Sequence, residues 1–145
     1  MFLIFDTETT GLPRNYNAPI SDTDNWPRMV QLAWQLHNDL GELIEAKDFI
    51  ITPEGYDIPY NAAKIHGITT ERAQKEGVAI AQVLDAFRNA LEAARYAVGH
   101  NVGFDINIVG SEFYRATMNS TLQNKIVLDT CTEQTASLCM LPGGR

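Results

Sequence analysis

Cysteine is scarce in this chain: Cys131 and Cys139 are the only two among 145 residues. Two cysteines at that spacing build neither a disulfide framework nor a zinc knuckle, so both read as free thiols in a reducing compartment. No stretch approaches the roughly 20 apolar residues of a membrane span, so no membrane association is expected. The first ten residues lack a basic stretch and a long apolar segment, which argues against a signal peptide and makes a cytoplasmic location the default. Positive charge is also short: 11 Lys and Arg face 18 Asp and Glu, for a net charge of −7. Proteins that grip long nucleic acid usually display basic faces, so extensive tracking along a backbone is disfavoured. A small metal-dependent site that handles only a chain end survives this objection, because bound cations neutralise phosphate locally. Internal repeats and low-complexity tracts are absent as well. What remains is the composition of an ordinary globular protein, long enough to bury the core of one domain.

Against that background, the run Met-Phe-Leu-Ile-Phe-Asp-Thr-Glu-Thr-Thr-Gly at the start of the chain stands out. Residues 2 to 5 are continuously apolar, which predicts a strand buried on both faces. Successive strand side chains alternate, so Asp6 and Glu8 project to one side and Thr7 to the other. Gly11 and Pro13 then break the element. Two ionised carboxylates side by side where a core strand emerges repel one another and resist desolvation unless a cation sits between them. Hard divalent ions with oxygen ligands, Mg²⁺ or Mn²⁺, answer that need. Acids at this point could also be solvated residues of a turn; the buried strand before them and the Thr-Gly turn after them favour the metal site. A phosphatase with its nucleophile in D-x-D-x-T is a nearer competitor, but Glu8 replaces the second Asp and no later Gly-Asp-rich acidic motif follows.

The rest of the chain reads as mixed α and β. Residues 12–27 form a long irregular connection, a length that is often functional. Val30, Leu32, Trp34 and Leu36 alternate with Gln31, Ala33, Gln35 and His37, predicting a half-buried strand over 29–37, with a hairpin partner over 42–52 after the turn at 38–41. Helical tendency over 60–66 leads to Gly67. Ile80, Val83, Leu84, Phe87 and Leu91 recur at helical spacing, a short interior strand follows over 96–99, and Asn101 suits the N-cap of a helix running to about Met118. Residues 126–128 predict another buried strand ending at Asp129, 132–138 a further helix, and 141–145 a loop-like ending. Such an order implies a mixed sheet covered by helices.

Asp105 lies in the first turn of the 102–118 helix and shares a face with Ile108, Val109 and Glu112. The two apolar residues should point inward, and Asp105 with them. A first-turn carboxylate also gains from the helix dipole, so a structural acid and a metal ligand are both open readings.

At this point the chain resembles a known family. Phe5 to Leu12 (Phe-Asp-Thr-Glu-Thr-Thr-Gly-Leu) is similar to the first motif of the DEDD exonucleases, in the branch of the DNA polymerase III epsilon subunit. His100 to Asp105 (His-Asn-Val-Gly-Phe-Asp) is similar to the second, and Ile65 to Thr69 (Ile-His-Gly-Ile-Thr) to a signature between them. The resemblance runs from residue 2 to about 130. It implies a ribonuclease-H-like α/β fold, a mixed sheet of N-terminal hairpin strands and parallel strands flanked by helices. It also implies 3′→5′ exonuclease activity that releases nucleoside 5′-monophosphates from single-stranded DNA or RNA, DNA being favoured, with a DNA polymerase subunit as a further partner.

Two Mg²⁺ or Mn²⁺ ions about 4 Å apart would serve that chemistry. By resemblance, Asp6 bridges both, Glu8 binds the ion that holds the attacking water, and Asp105 supports the second. Thr9, Gly11 and Leu12 would lie against the terminal nucleotide, with Leu12 as an apolar wedge that lowers the cost of unstacking a base. His66 falls where the family approaches its substrate. Asn101 and Phe104 flank Asp105 in the second motif and join the substrate-binding set, although an aromatic in a first turn is often core. His100 reads as a satisfied structural histidine.

One departure matters. The family's third motif supplies a general-base histidine and a fourth carboxylate, yet no histidine follows His100 and no acid follows Glu133. The expectation is therefore a single exonuclease domain over 1–145 that lacks its C-terminal helix and third motif. The alternative is a non-catalytic module on the same fold that binds nucleic acid or accompanies a polymerase.

Overall fold

The apolar start of the chain becomes β1 (Phe2–Thr9), the middle strand of a five-stranded sheet. β2 (Met29–His37) pairs with it antiparallel over its whole length, and β3 (Leu43–Ile50) completes the hairpin on the outside. On the other flank β4 (Tyr96–Gly99) and β5 (Ile126–Asp129) run parallel to β1, giving the order β3-β2-β1-β4-β5. The helices are α1 (Tyr60–His66), α2 (Thr70–Glu76), α3 (Ile80–Ala93), α4 (Val102–Arg115) and α5 (Glu133–Cys139), with a 3-10 turn at Leu122–Asn124. This is the mixed, helix-flanked α/β architecture that the sequence pattern predicts. The computed structural model describes residues 1–139; the loop expected over 141–145 lies outside them, as does the side chain of Cys139. Among the described residues no helix is long and apolar enough to cross a membrane.

The core lies on one face of the sheet. Leu3 and Phe5 of β1 meet Trp34 and Leu36 of β2 beneath α3, whose Val83, Leu84, Phe87 and Leu91 recur every three to four residues. The Phe87 ring stands edge-on to Phe5 and Trp34, with centroids 5.2 and 5.3 Å away. Val102, Ile108, Val109 and Phe113 of α4 close the same core. A smaller cluster of Val30, Ile58, Ala62, Ile68 and Ala73 seats α1 and α2.

Four expectations need correction. β1 is not buried on both faces: Leu3, Phe5 and Thr7 point into the core, whereas Ile4 is 42% exposed on the opposite face. β5 is not buried either, with Ile126, Val127 and Leu128 between 41% and 47% exposed, because it is the edge strand and only β4 lies beside it. α4 stops at Arg115 instead of continuing to Met118, since Thr117 adopts a left-handed φ of 54° and the Met118 amide bonds back to the Phe113 carbonyl. Asn101 does not cap α4 with its side chain; it is itself left-handed (φ 55°), a conformation asparagine tolerates.

Candidate active site

Strand alternation sets the site. Asp6 is exposed and Glu8 half-buried on the open side of β1, while Thr7 between them is 8% exposed and faces α4. The β1–β2 ladder shifts after Glu8: Glu8 pairs with Gln31 but Thr9 with Met29, so Val30 is bulged and the end of β1 is re-aimed.

β4 accompanies β1 only as far as Ile4, opposite Val98. Beyond it the β1 edge has no strand, and Asp105 takes its place. The Asp105 Oδ1 accepts the Thr7 amide at 3.0 Å and the Thr7 hydroxyl at 2.6 Å. Asp105 is 4% exposed, so the inward direction expected from its helix face is what the structure has. Burial pushes its carboxyl up to about 6; the Thr7 hydroxyl pulls it down and the Asp6 charge adds to the rise. Burial also raises Glu8 above its usual range, with His66 opposing and Asp6 adding to the shift. Asp6 therefore stands within electrostatic reach of both other acids.

On the Glu8 side lies a cleft of about 490 Å³. Its walls are the loop Thr9–Leu12, the α1 side chains Asn61, Ala62, Ile65 and His66, and Phe104 of α4. Leu12 and Ile65 are 74% and 85% exposed, two apolar groups held at the mouth without cover. The Thr9 hydroxyl donates to the Gly11 carbonyl at 2.7 Å, stiffening the loop. His66 accepts the Ile68 amide on Nδ1, which leaves its Nε2 proton to donate to the Thr9 carbonyl at 3.2 Å. Of the residues expected to bind substrate, Thr9, Gly11, Leu12, His66 and Phe104 line this cleft, and Asn101 stands outside its wall. Asp6 instead lines a trough of about 720 Å³ on the open sheet face, together with Ile4, Gln35, Asp48 and His100. His100, expected as a satisfied structural histidine, is exposed, with its Nδ1 3.1 Å from the Thr130 hydroxyl.

Three residues at the candidate site carry roles that the sequence does not announce. Thr7, the spacer between the acids, turns out to hold Asp105. Asp129 holds the residue from which α4 starts: its Oδ1 accepts the amides of Cys131 and Asn101, both at 2.8 Å, and these bonds hold its carboxyl below the usual range. Ile65 sits beside His66 within the recognised signature, but only the exposed face of α1 reveals it as a wall of the cleft.

Every candidate ligand is an oxygen donor, the set a hard cation requires. Among the described residues no three His, Cys, Asp or Glu side chains converge closely enough to hold a metal. Asp105 is turned onto Thr7 through Oδ1, and its Oδ2 lies outside both of those contacts. The donors fit such an ion by chemistry and charge, with Asp6 the acid that both others feel.

The RNase T family model, an exonuclease family, matches residues 3–142. Solved structures of E. coli exonuclease I share the fold. The complex with a dT13 oligonucleotide is 23% identical with a TM-score of 0.75, covering 99% of this chain and 30% of that one. A product-bound form is 23% identical with a TM-score of 0.74, covering 99% and 33%. A zinc-bound complex with single-stranded DNA is 23% identical with a TM-score of 0.75, covering 98% and 30%. The chain thus spans about a third of the length of these proteins. No curated protein sequence matches it. With the match extending over nearly all of its residues, the chain belongs to the RNase T exonuclease family.

Proposed function

We propose that this domain is a metal-dependent 3′→5′ exonuclease that removes nucleoside 5′-monophosphates from single-stranded ends, DNA before RNA. The supporting observation is that Asp6 repels both Glu8 and Asp105 at the end of β1, where Glu8 borders a cleft with an apolar mouth. That combination suits a terminal nucleotide: an anionic phosphate beside cations, a base against Leu12, Ile65 and Phe104. Exonuclease I is a structural relative bound to oligodeoxynucleotides, which favours DNA. Asp6 and Glu8 would hold the two Mg²⁺ or Mn²⁺ ions, with Asp105 in support. Such ions, when bound, supply an activated water and charge stabilisation for the leaving oxygen. The chain's own residues do the remaining work. The Thr9–Leu12 loop orients the sugar, Leu12 and Ile65 hold the base away from its stacked neighbour, and His66 fixes the loop through the Thr9 carbonyl. Asn101 and Phe104 would follow the second motif, Phe104 from the cleft wall.

The epsilon-like branch, a proofreading role beside DNA polymerase III and a cytoplasmic setting belong to the same proposal, on the motif resemblance and the chain's composition. One observation favours a second reading, a non-catalytic module: Asp105 is bonded to Thr7 instead of being turned toward Asp6 and Glu8. Hydrolysis of a 3′-labelled single-stranded oligonucleotide with Mn²⁺ decides between them. Nucleotide release by the wild type that disappears in Asp6→Ala supports the enzyme; binding without release supports the module.

A further inference from the structure

Seven residues beyond Asp105, on the same face of α4, Glu112 is buried to 1% exposure, and the chemistry above has no use for it. A carboxylate at that depth is tolerated only when fully paired. Glu112 accepts the Arg28 guanidinium at both oxygens (2.9 and 3.3 Å), and its Oε1 also accepts the Met29 amide at 3.0 Å. Arg115 adds a third cationic contact at 3.1 Å and donates to the Thr23 and Trp26 carbonyls, both at 2.7 Å, tying down the end of the long connection.

The two residues that Glu112 grips are the ones that hold the cleft loop. Met29 is the β2 partner of Thr9 across the shifted register. Arg28 bonds Thr10 in both directions: its amide donates to the Thr10 hydroxyl at 3.0 Å, and its carbonyl accepts the Thr10 amide at 2.9 Å. Arg28 is further fixed by lying 4.4 Å over the Tyr56 ring, whose hydroxyl donates to the Met29 carbonyl. Well-packed apolar side chains could match such a cluster for stability, but they would not impose the fork geometry that a bidentate Arg–carboxylate pair does.

We propose that Glu112 is a positioning residue for the loop Thr9–Leu12, setting its height against Glu8 and Asp105 through Arg28 and Met29. The role rests on the reading of the cleft as the terminal-nucleotide site. α4 thereby carries the wall residue Phe104 beside Asp105 at its start and, seven residues beyond Asp105, the anchor of the loop wall, so the two walls share one rigid element.

The test uses the full chain with Glu112→Gln and Arg28→Lys. Lysine keeps the charge and loses the fork. Val83→Ala, a core substitution in α3, serves as a control compared at the same interval below its thermal midpoint. Expected for both site-side variants is a rise of about tenfold in KM for a 3′-labelled oligodeoxynucleotide with kcat within about threefold of wild type. Amide exchange at Thr10 should quicken by about tenfold in the same samples, since its bond to Arg28 opens more often. The control should move neither. Unchanged KM and unchanged Thr10 exchange in both variants would overturn the proposal, and so would equal changes in Val83→Ala. If the wild type cuts nothing, the functional reading fails, and Thr10 exchange alone decides whether Glu112 positions the loop.

Discussion

Replacing Asp105 by asparagine should make the cation-free protein more stable at neutral pH. An unfolded aspartate titrates near 3.8, and Asp105 in the fold at about 6. The folded state thus binds the proton more tightly, and the stability this gives is complete below about pH 4 and lost as pH rises through 6. At about 1.4 kcal/mol per pKa unit, the ionised carboxylate costs the fold about 3 kcal/mol at pH 7.5. Asparagine keeps an Oδ1 acceptor for the Thr7 amide and hydroxyl. Its new amide protons need partners, which offsets about 1 kcal/mol of the gain. A net gain of about 2 kcal/mol should raise the thermal midpoint by about 4–8 °C in a chain of this size. Thermal unfolding of both proteins in chelator at pH 7.5 and pH 4 measures this, and the advantage should vanish at pH 4. A variant less stable than wild type at pH 7.5, or equally advantaged at both pH values, refutes the electrostatic account of the site.

Asp129→Ala should destabilise by about 0.5–1.5 kcal/mol in urea melts, because the Asn101 amide at the start of α4 loses the carboxylate that accepts it. Gly99→Ala should cost more: its Cβ would lie 2.8 Å from the Val102 Cγ2 and 3.1 Å from the Phe5 carbonyl, so the start of α4 must shift, and both the thermal midpoint and hydrolysis should fall. Leu12→Ala combined with Ile65→Ser should raise KM in the oligonucleotide assay and leave the melting temperature within about 2 °C, since neither side chain is buried.

Periodicity carried much of the fold. The strands at 29–37 and 96–99 and the helix at 60–66 coincide with the expected spans, because alternation and apolar spacing are local signals. α2 was invisible: its seven residues bury only Ala73, and its Thr69 cap, bonded to the Arg72 amide, looks like any threonine in a loop. The end of α4 was misplaced because the left-handed stop falls on Thr117, with no glycine to announce it. Exposure of Ile4 and β5 could not be read, since an apolar residue does not reveal whether a neighbouring element covers it.

The candidate site divides in the same way. Asp6 and Glu8 share a side by strand alternation, and the inward aim of Asp105 follows from Ile108 and Val109 on its helix face. The Thr7–Asp105 bonds, the Asp129–Asn101 bond and the Arg28–Glu112 pair join residues 28 to 98 positions apart in the chain. No spacing rule reaches that far. Asn101 does stand at the N-cap position, but asparagine serves there and in left-handed turns alike, so the missing side-chain bond could not be read.

The most direct measurement is titration calorimetry of the protein with Mn²⁺, for wild type and Asp6→Ala. A saturable binding heat in the wild type, lost in the variant, is the expected result. No heat in either protein, or equal heat in both, would contradict the claim that Asp6 and the carboxylates beside it serve to hold a cation.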